Sequence, residues 1–243
     1  MVVGPMKSVP ITLSALILAV GLACSGYFIS QTLFKSKVAL NTADVKGLAE
    51  RRVEADLAHW HIGYSVAGST RDEVPGLYKQ CEANRDKIIA LLKEGGFSDE
   101  EIKPGIIDHS YKEYRNEEQV LVSEKHTLSG YVSVETQQVK KVAGVRADLN
   151  KLIAEGMNIH NGSPSYKYTK LNEIKPAMLK EATKNARIAA NEFASNAGVE
   201  VGGIRYARQG GFTIRDVGDD YSDSGKIEKE VRVVTNVTFF LTD

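Results

Sequence analysis

Residues 52–66 read RVEADLAHWHIGYSV, and the alternation of their side chains decides the fold class. Ala58, Trp60, Ile62, Tyr64 and Val66 fall on one side of an extended chain, and His59, His61 and Ser65 fall on the other. Successive side chains of a strand point to opposite faces, so this pattern marks a strand with one face on a core and one in water. Just upstream, Val53, Ala55 and Leu57 carry apolar character in the opposite phase. A slip of one residue turns every side chain over. A bulge near Leu57–Ala58 is therefore expected, with a short strand around Asp44–Gly47 before it.

Working outward, residues 72–94 switch to helical spacing, with Val74, Leu77, Tyr78, Cys81, Ile88, Leu91 and Leu92 on one side. Asp72 is the candidate N-cap, Pro75 lies in the first turn and Gly95-Gly96 stops the helix. Residues 106–115 and 124–137 read as the arms of a hairpin; in the second, Leu128, Gly130, Val132 and Val134 alternate with Ser129, Tyr131, Ser133 and Glu135. A second helix over 139–155 turns Val142, Val145, Leu149, Leu152 and Ile153 inward, and a strand over 157–169 follows. The longest helix, 173–197, carries a stripe of Leu179, Ala182, Ala186, Ala189, Ala190, Phe193 and Ala197. Two more strands lie near 201–215 and 229–242; in the latter Val231, Val233, Val237, Phe239 and Leu241 share a face. Helices interspersed with antiparallel hairpins define an α+β fold: a curved, mainly antiparallel sheet with about three helices packed on one face.

Ahead of this domain, residues 9–34 are mostly apolar and carry no charge, between Lys7 on one side and Lys35 and Lys37 on the other. A transmembrane helix needs about 20 such residues. Tyr27, Phe28 and Phe34 sit toward the far end, where aromatic rings favour the interface. The reading adopted is an uncleaved, single-pass signal anchor. Two alternatives stay open. Small residues at Gly21 and Ala23, or at Ala23 and Ser25, would allow cleavage before Cys24 or before Gly26. Leu22-Ala23-Cys24 also resembles a lipidation box, although Gly21 stands where Leu is usual. The chain then divides into a short segment (1–8), the anchor (9–34), a linker (35–42) and the α+β domain (43–243). A first apolar segment this early is normally an export signal, which is expected to put the domain outside the cytoplasm.

Composition narrows the function classes. The 243 residues are 42% hydrophobic and 26% charged, which excludes a disordered chain, a collagen and a polytopic membrane protein. Lys plus Arg and Asp plus Glu number 31 each, so the chain lacks the basic footprint of a nucleic-acid binder. Only Cys24 and Cys81 are present, so the exported part has one thiol and no internal disulfide. Cys81 reads as a buried, inert thiol.

Candidate chemistry is sparse. His59 and His61 share a strand face and are the metal-ligand candidates, with no third ligand indicated. His109, His126 and His160 are scattered and carry no motif. From Asp220 the loop nearly fits a calcium site through Ser222, Ser224, Gly225 and Ile227, but Val231 stands where the bidentate Glu belongs. G-x-S-x-G, Walker A and H-E-x-x-H are absent from the sequence. Catalytic and cofactor-binding residues are accordingly expected to be none, and the protein is expected not to be an enzyme.

The stretch from Val45 through Lys46, Gly47, Leu48, Ala49 and Glu50 to Ala58 resembles the opening of the SIMPL domain family, with Asp56 as the acidic residue of the second strand. Further matches follow in order. Gly130-Tyr131 resembles the family's "GY" strand. Lys180 to Ala190 resembles its A-x-x-x-A-R-x-K-A helix. Gly202-Gly203-Ile204 resembles its G-x-x-L-G turn. The resemblance covers about residues 43–242. It implies an α+β cell-envelope protein, homo-oligomers in some relatives, and roles in envelope or oxidative stress. It implies no catalytic residue, and an amino-terminal anchor looks like one branch of the family.

Overall fold

A computed structural model of the chain describes residues 11–38, 41–219 and 221–242. Among these residues the order of elements is α1 (Ile11–Val38), β1 (Thr42–Glu54), β2 (Leu57–Gly68), α2 (Val74–Glu94), β3 (Ile102–Pro104), β4 (Asp108–Arg115), β5 (Leu121–Thr136), α3 (Val139–Ala154), β6 (Asn158–Asn161), β7 (Ser165–Lys167), α4 (Leu171–Ala197), β8 (Glu200–Asp216) and β9 (Glu228–Thr242). The fold is α+β, with its strands in two sheets. One has the order β1–β9–β8. The other has the order β3–β5–β2–β6, with β4 also on β5 and β7 also on β2. The chain divides into two compact units interleaved along the sequence: one takes residues up to Ala49, 179–211 and 234 onward, the other 50–178 and 212–233.

In the larger unit the sequence pattern and the pairing agree. Trp60 lies opposite Val134, Ile62 opposite Val132, Tyr64 opposite Gly130 and Val66 opposite Leu128. All of these apolar side chains are buried in one core with Leu77, Cys81, Ile88 and Leu92 of α2 and Val142, Val145 and Leu149 of α3. The helix positions recur every three to four residues, so each helix lays one stripe on the sheet. Burying a large apolar side chain contributes about 1.5–3 kcal/mol. Gly130 has a specific role: a Cβ there would meet Tyr64 Oη at 2.4 Å and Cζ at 2.5 Å, so only glycine lets that ring cross the neighbouring strand.

In the smaller unit Val45, Val237 and Phe239 pack with Ala186 and Ala190 of α4. The buried stripe is Ala182, Ala186, Ala190 and Ala194, at strict four-residue steps. Small side chains let the helix lie close to the sheet, and Gly47 takes this furthest. A Cβ on Gly47 would stand 1.8 Å from the Ala182 carbonyl oxygen. Phe193 and Leu179, placed on this stripe from the sequence, lie off it; Phe193 is 66% exposed.

The phase reversal upstream of Trp60 has another origin than a bulge. β1 runs far past Gly47 to Glu54, β2 begins at Leu57, and the two belong to different sheets. The break between them is held by Ala55 N–H donating to Ile227 O (2.8 Å) and Asp56 N–H donating to Lys167 O (3.0 Å). Asp72 also differs from expectation. It lies in a 3-10 turn, Arg71–Glu73, and Glu73 occupies the cap position without capping. The Glu73 carboxylate instead accepts from Ser69 N–H and Thr70 Oγ1. The strand expected over 157–169 is two short strands, β6 and β7. Helix α1 includes Leu13–Leu33, 21 residues apolar enough to cross a membrane and with none of that window buried. At 1.5 Å per residue it reaches roughly 30 Å, one hydrocarbon core.

Candidate functional site

Strand β2 presents His59 and His61 on the face away from the core, as its alternation requires. They do not converge. His59 Nδ1 lies 3.7 Å from Glu135 Oε2, while His61 Nδ1 is within 3.2 Å of Ser133 Oγ and its ring stacks on Tyr131 at 4.6 Å. Each imidazole is thus engaged by its own cross-strand partner on β5. Among the described residues no group of three or more His, Cys, Asp or Glu is placed to hold a metal ion.

The histidines that do meet are His109 of β4 and His126 of β5. Their Nε2 and Nδ1 are 3.1 Å apart, and the rings are within 7° of parallel with centroids at 5.3 Å. This is an edge-to-edge meeting in which one nitrogen donates and the other accepts. His126 is 3% exposed. Its Nε2 is buried without a hydrogen bond and faces Glu124 Oε1 at 3.5 Å. Glu124 accepts from Arg71 N–H (3.1 Å) and from the Tyr111 hydroxyl (3.2 Å), which Glu113 also engages at 2.8 Å. The Glu113 bond, burial and the Glu124 carboxylate push the Tyr111 hydroxyl up to about 12. These groups line a groove of about 680 Å³ beside Val74 and Pro75 at the start of α2. The sequence shows no motif here because the pair is made by hairpin register: Tyr111 is opposite His126 and His109 is opposite Leu128. That puts the two histidines on a diagonal, and residue spacing does not carry a diagonal.

The calcium-like loop contains a different device. Its first position, Asp220, lies outside the described residues. Just before it, Asp216 at the end of β8 has a carboxylate that accepts from Ser222 Oγ (2.6 Å), Gly225 N–H (2.7 Å) and Lys229 Nζ (2.5 Å). Lys229 is fully buried and also donates to Asp223 O at 2.9 Å. Burial alone would raise the Asp216 carboxyl, but the Lys229 and Ser222 bonds outweigh it and hold it at about 2. An ammonium group thus fills the place a bound cation would take. Asp56, the acidic residue of the family opening, has a comparable structural job. It accepts from Thr169 N–H (2.6 Å) and Oγ1 (2.7 Å). Burial raises its carboxyl, and the Thr169 bonds bring it below the ordinary carboxylate range. Cys81 is fully buried, and burial raises its thiol.

A further open feature is β8. It stands at the edge of its sheet. Residues 203–209 are exposed on both faces, with Ile204 50% and Tyr206 59% exposed. Such an edge presents a row of unpaired backbone donors and acceptors.

The chain thus joins an α+β domain with an exposed strand edge to an apolar amino-terminal helix. The chain belongs to the SIMPL family, described as "Protein of unknown function (DUF541)", whose model matches residues 43–239, from β1 into β9. No curated protein matches the chain.

Proposed function

We propose that this chain is a non-enzymatic, single-pass membrane-anchored protein of the cell envelope, whose SIMPL domain lies on the periplasmic side and self-associates. The observation that carries the reading is the edge of β8. A 17-residue strand with bare flanks and exposed Ile204 and Tyr206 is a template for another strand. The 21-residue apolar stretch of α1 supports the anchor. The envelope setting follows from the resemblance of the Val45–Ala58 opening.

The test is the mass of the full chain in detergent, measured by mass photometry and by light scattering across micromolar concentrations. The expected result is a discrete oligomer that Ile204→Lys with Tyr206→Lys returns to single copies. A single-copy mass for the unaltered protein at every concentration would overturn self-association.

A further inference from the structure

The flank of α4 beside β8 carries a groove of about 640 Å³ within the smaller unit. Its walls are Leu179, Thr183 and Ile188 of α4, facing Ile204 and Phe239. The groove exists because one helix, about 10 Å across, cannot cover three strands spaced about 4.8 Å apart. The helix covers Val45, Val237 and Phe239 and reaches Val201 of β8, while residues 203–209 of β8 stay exposed.

One lip of the groove is basic. Lys180, Lys184 and Arg187 follow each other at i, i+4 and i+7, which stacks them along one side of the helix. Arg187 is fixed as part of the wall. It donates to Gly202 O (2.6 Å) and Val201 O (2.9 Å), and its guanidinium lies 5.1 Å from the Phe239 ring centroid. Carbonyl partners leave its charge uncancelled. Among the described residues Lys180 and Lys184 form no hydrogen bond or ion pair. An apolar trough with free ammonium groups on its lip matches an amphiphile with a long apolar chain and an anionic head.

The unpaired ammonium groups of Lys180 and Lys184 call for an anionic occupant, and the anchor supplies its source. The apolar span ends at Leu33, α1 stays helical to Val38, and Val45 packs in the cluster that contains Phe239. At about 1.5 Å per helical and 3.5 Å per extended residue, this tether keeps Val45 within roughly 32 Å of the end of the apolar span. Lipid is therefore present at a high effective concentration. We propose that the groove binds an acyl chain of an anionic lipid from the membrane that α1 spans, with Lys180 and Lys184 holding the headgroup; this rests on the anchored reading above.

The test uses the full chain carrying Ile204→Trp and vesicles of phosphatidylglycerol or phosphatidylcholine with brominated acyl chains. The native Trp60 is fully buried, so the unaltered protein gives the background. Flotation reports the anchor, quenching of the introduced indole reports the groove, and mass photometry reports the oligomer. The expected result is quenching above background with phosphatidylglycerol. Lys180→Gln with Lys184→Gln should then need about thirtyfold more anionic lipid for half-maximal quenching, at about a fivefold effect per lysine near the surface. Lys180→Arg with Lys184→Arg should retain the parent response. Floating protein with no quenching above background, or quenching unchanged by the glutamine pair, overturns the groove and leaves the anchor standing. Protein that fails to float on phosphatidylcholine but is quenched by phosphatidylglycerol keeps the groove and overturns the anchor. An indole shielded only in oligomers assigns the groove to a second copy and overturns the lipid.

Discussion

Replacing Lys229 by Met removes one half of a buried ion pair while keeping most of the side-chain volume. Lys229 is fully buried, and its Nζ sits 2.5 Å from Asp216 Oδ1 and 2.9 Å from Asp223 O. The variant leaves the Asp216 carboxylate buried with Ser222 Oγ and the N–H groups of Gly225 and Lys226 as remaining donors. Breaking a buried pair from one side costs about 3–5 kcal/mol, and the surviving bonds place this case near 3 kcal/mol. Removing both charges, in Lys229→Met with Asp216→Asn, should cost about 1–2 kcal/mol, less than either single change. The assay is urea unfolding of the full chain in detergent, followed through Trp60, the sole tryptophan, which lies in the same unit. The pH dependence has a fixed sign. The folded Asp216 carboxyl is held at about 2 against an ordinary 3.8, so its contribution is complete above pH 3.8 and is lost as pH falls through 2. At 1.36 kcal/mol per pH unit this is about 2 kcal/mol, and the gap between parent and Lys229→Met should narrow across that window. A single-variant cost below about 1 kcal/mol, or a double-variant cost equal to the sum of the singles, would refute the coupling.

Gly47→Ala forces a Cβ against the Ala182 carbonyl and should cost about 3 kcal/mol, read as lost amide-exchange protection in α4. Gly144→Ala, whose Cβ would meet nothing within 4 Å inside α3, should instead stabilise by about 0.5–1 kcal/mol. In the larger unit, Gly130→Ala should destabilise by about 2 kcal/mol, and Tyr64→Leu introduced with it should recover part of that loss in the same unfolding assay. Asp56→Ala loses both Thr169 bonds and should cost about 1–2 kcal/mol at neutral pH. Because the folded carboxyl is lowered, that penalty should shrink in acid as pH falls below 3.8. Finally, intact-mass measurement of protein extracted from membranes should retain residues 9–34; a product beginning at Cys24 or Gly26 would overturn the anchor.

Much of the larger unit was legible because its elements are one-sided. The alternation from Ala58 to Val66 and from Leu128 to Val134 survives intact as the buried pairing of β2 and β5. Helix α3 shows Val142, Val145, Leu149 and Leu152 of its stripe for the same reason, whereas Ile153, expected inward, is 42% exposed. What the local pattern could not carry was partner choice. The phase change at Ala55–Asp56 looks the same whether a strand bulges or two strands enter different sheets, because both turn the side chains over. Phe193 fits an apolar stripe by type, but a helix held close to its sheet by Gly47 and four alanines has room only for small side chains. The site residues were hidden more deeply. The His109–His126 contact depends on the register of β4 against β5. Lys229 reads as an ordinary surface charge until Asp216, Asp223 and Ser222 are folded around it. His59 and His61, adjacent in the pattern, each meet a different residue of β5, Glu135 and Ser133.

The order β1–β9–β8 has a consequence for how the molecule is made. Its middle strand is the last of the three in sequence, and some 180 residues separate it from β1. Until Glu228–Thr242 arrives, β1 and β8 have no common neighbour to join them, and Val45 lacks Val237 and Phe239 as packing partners. The smaller unit therefore cannot close before synthesis reaches β9 and must wait with two unpaired strands. Chains stopped before Val231 should leave those edges open for promiscuous pairing and clearance by proteases, while the β2–β5 hairpin layer has already met its own helices.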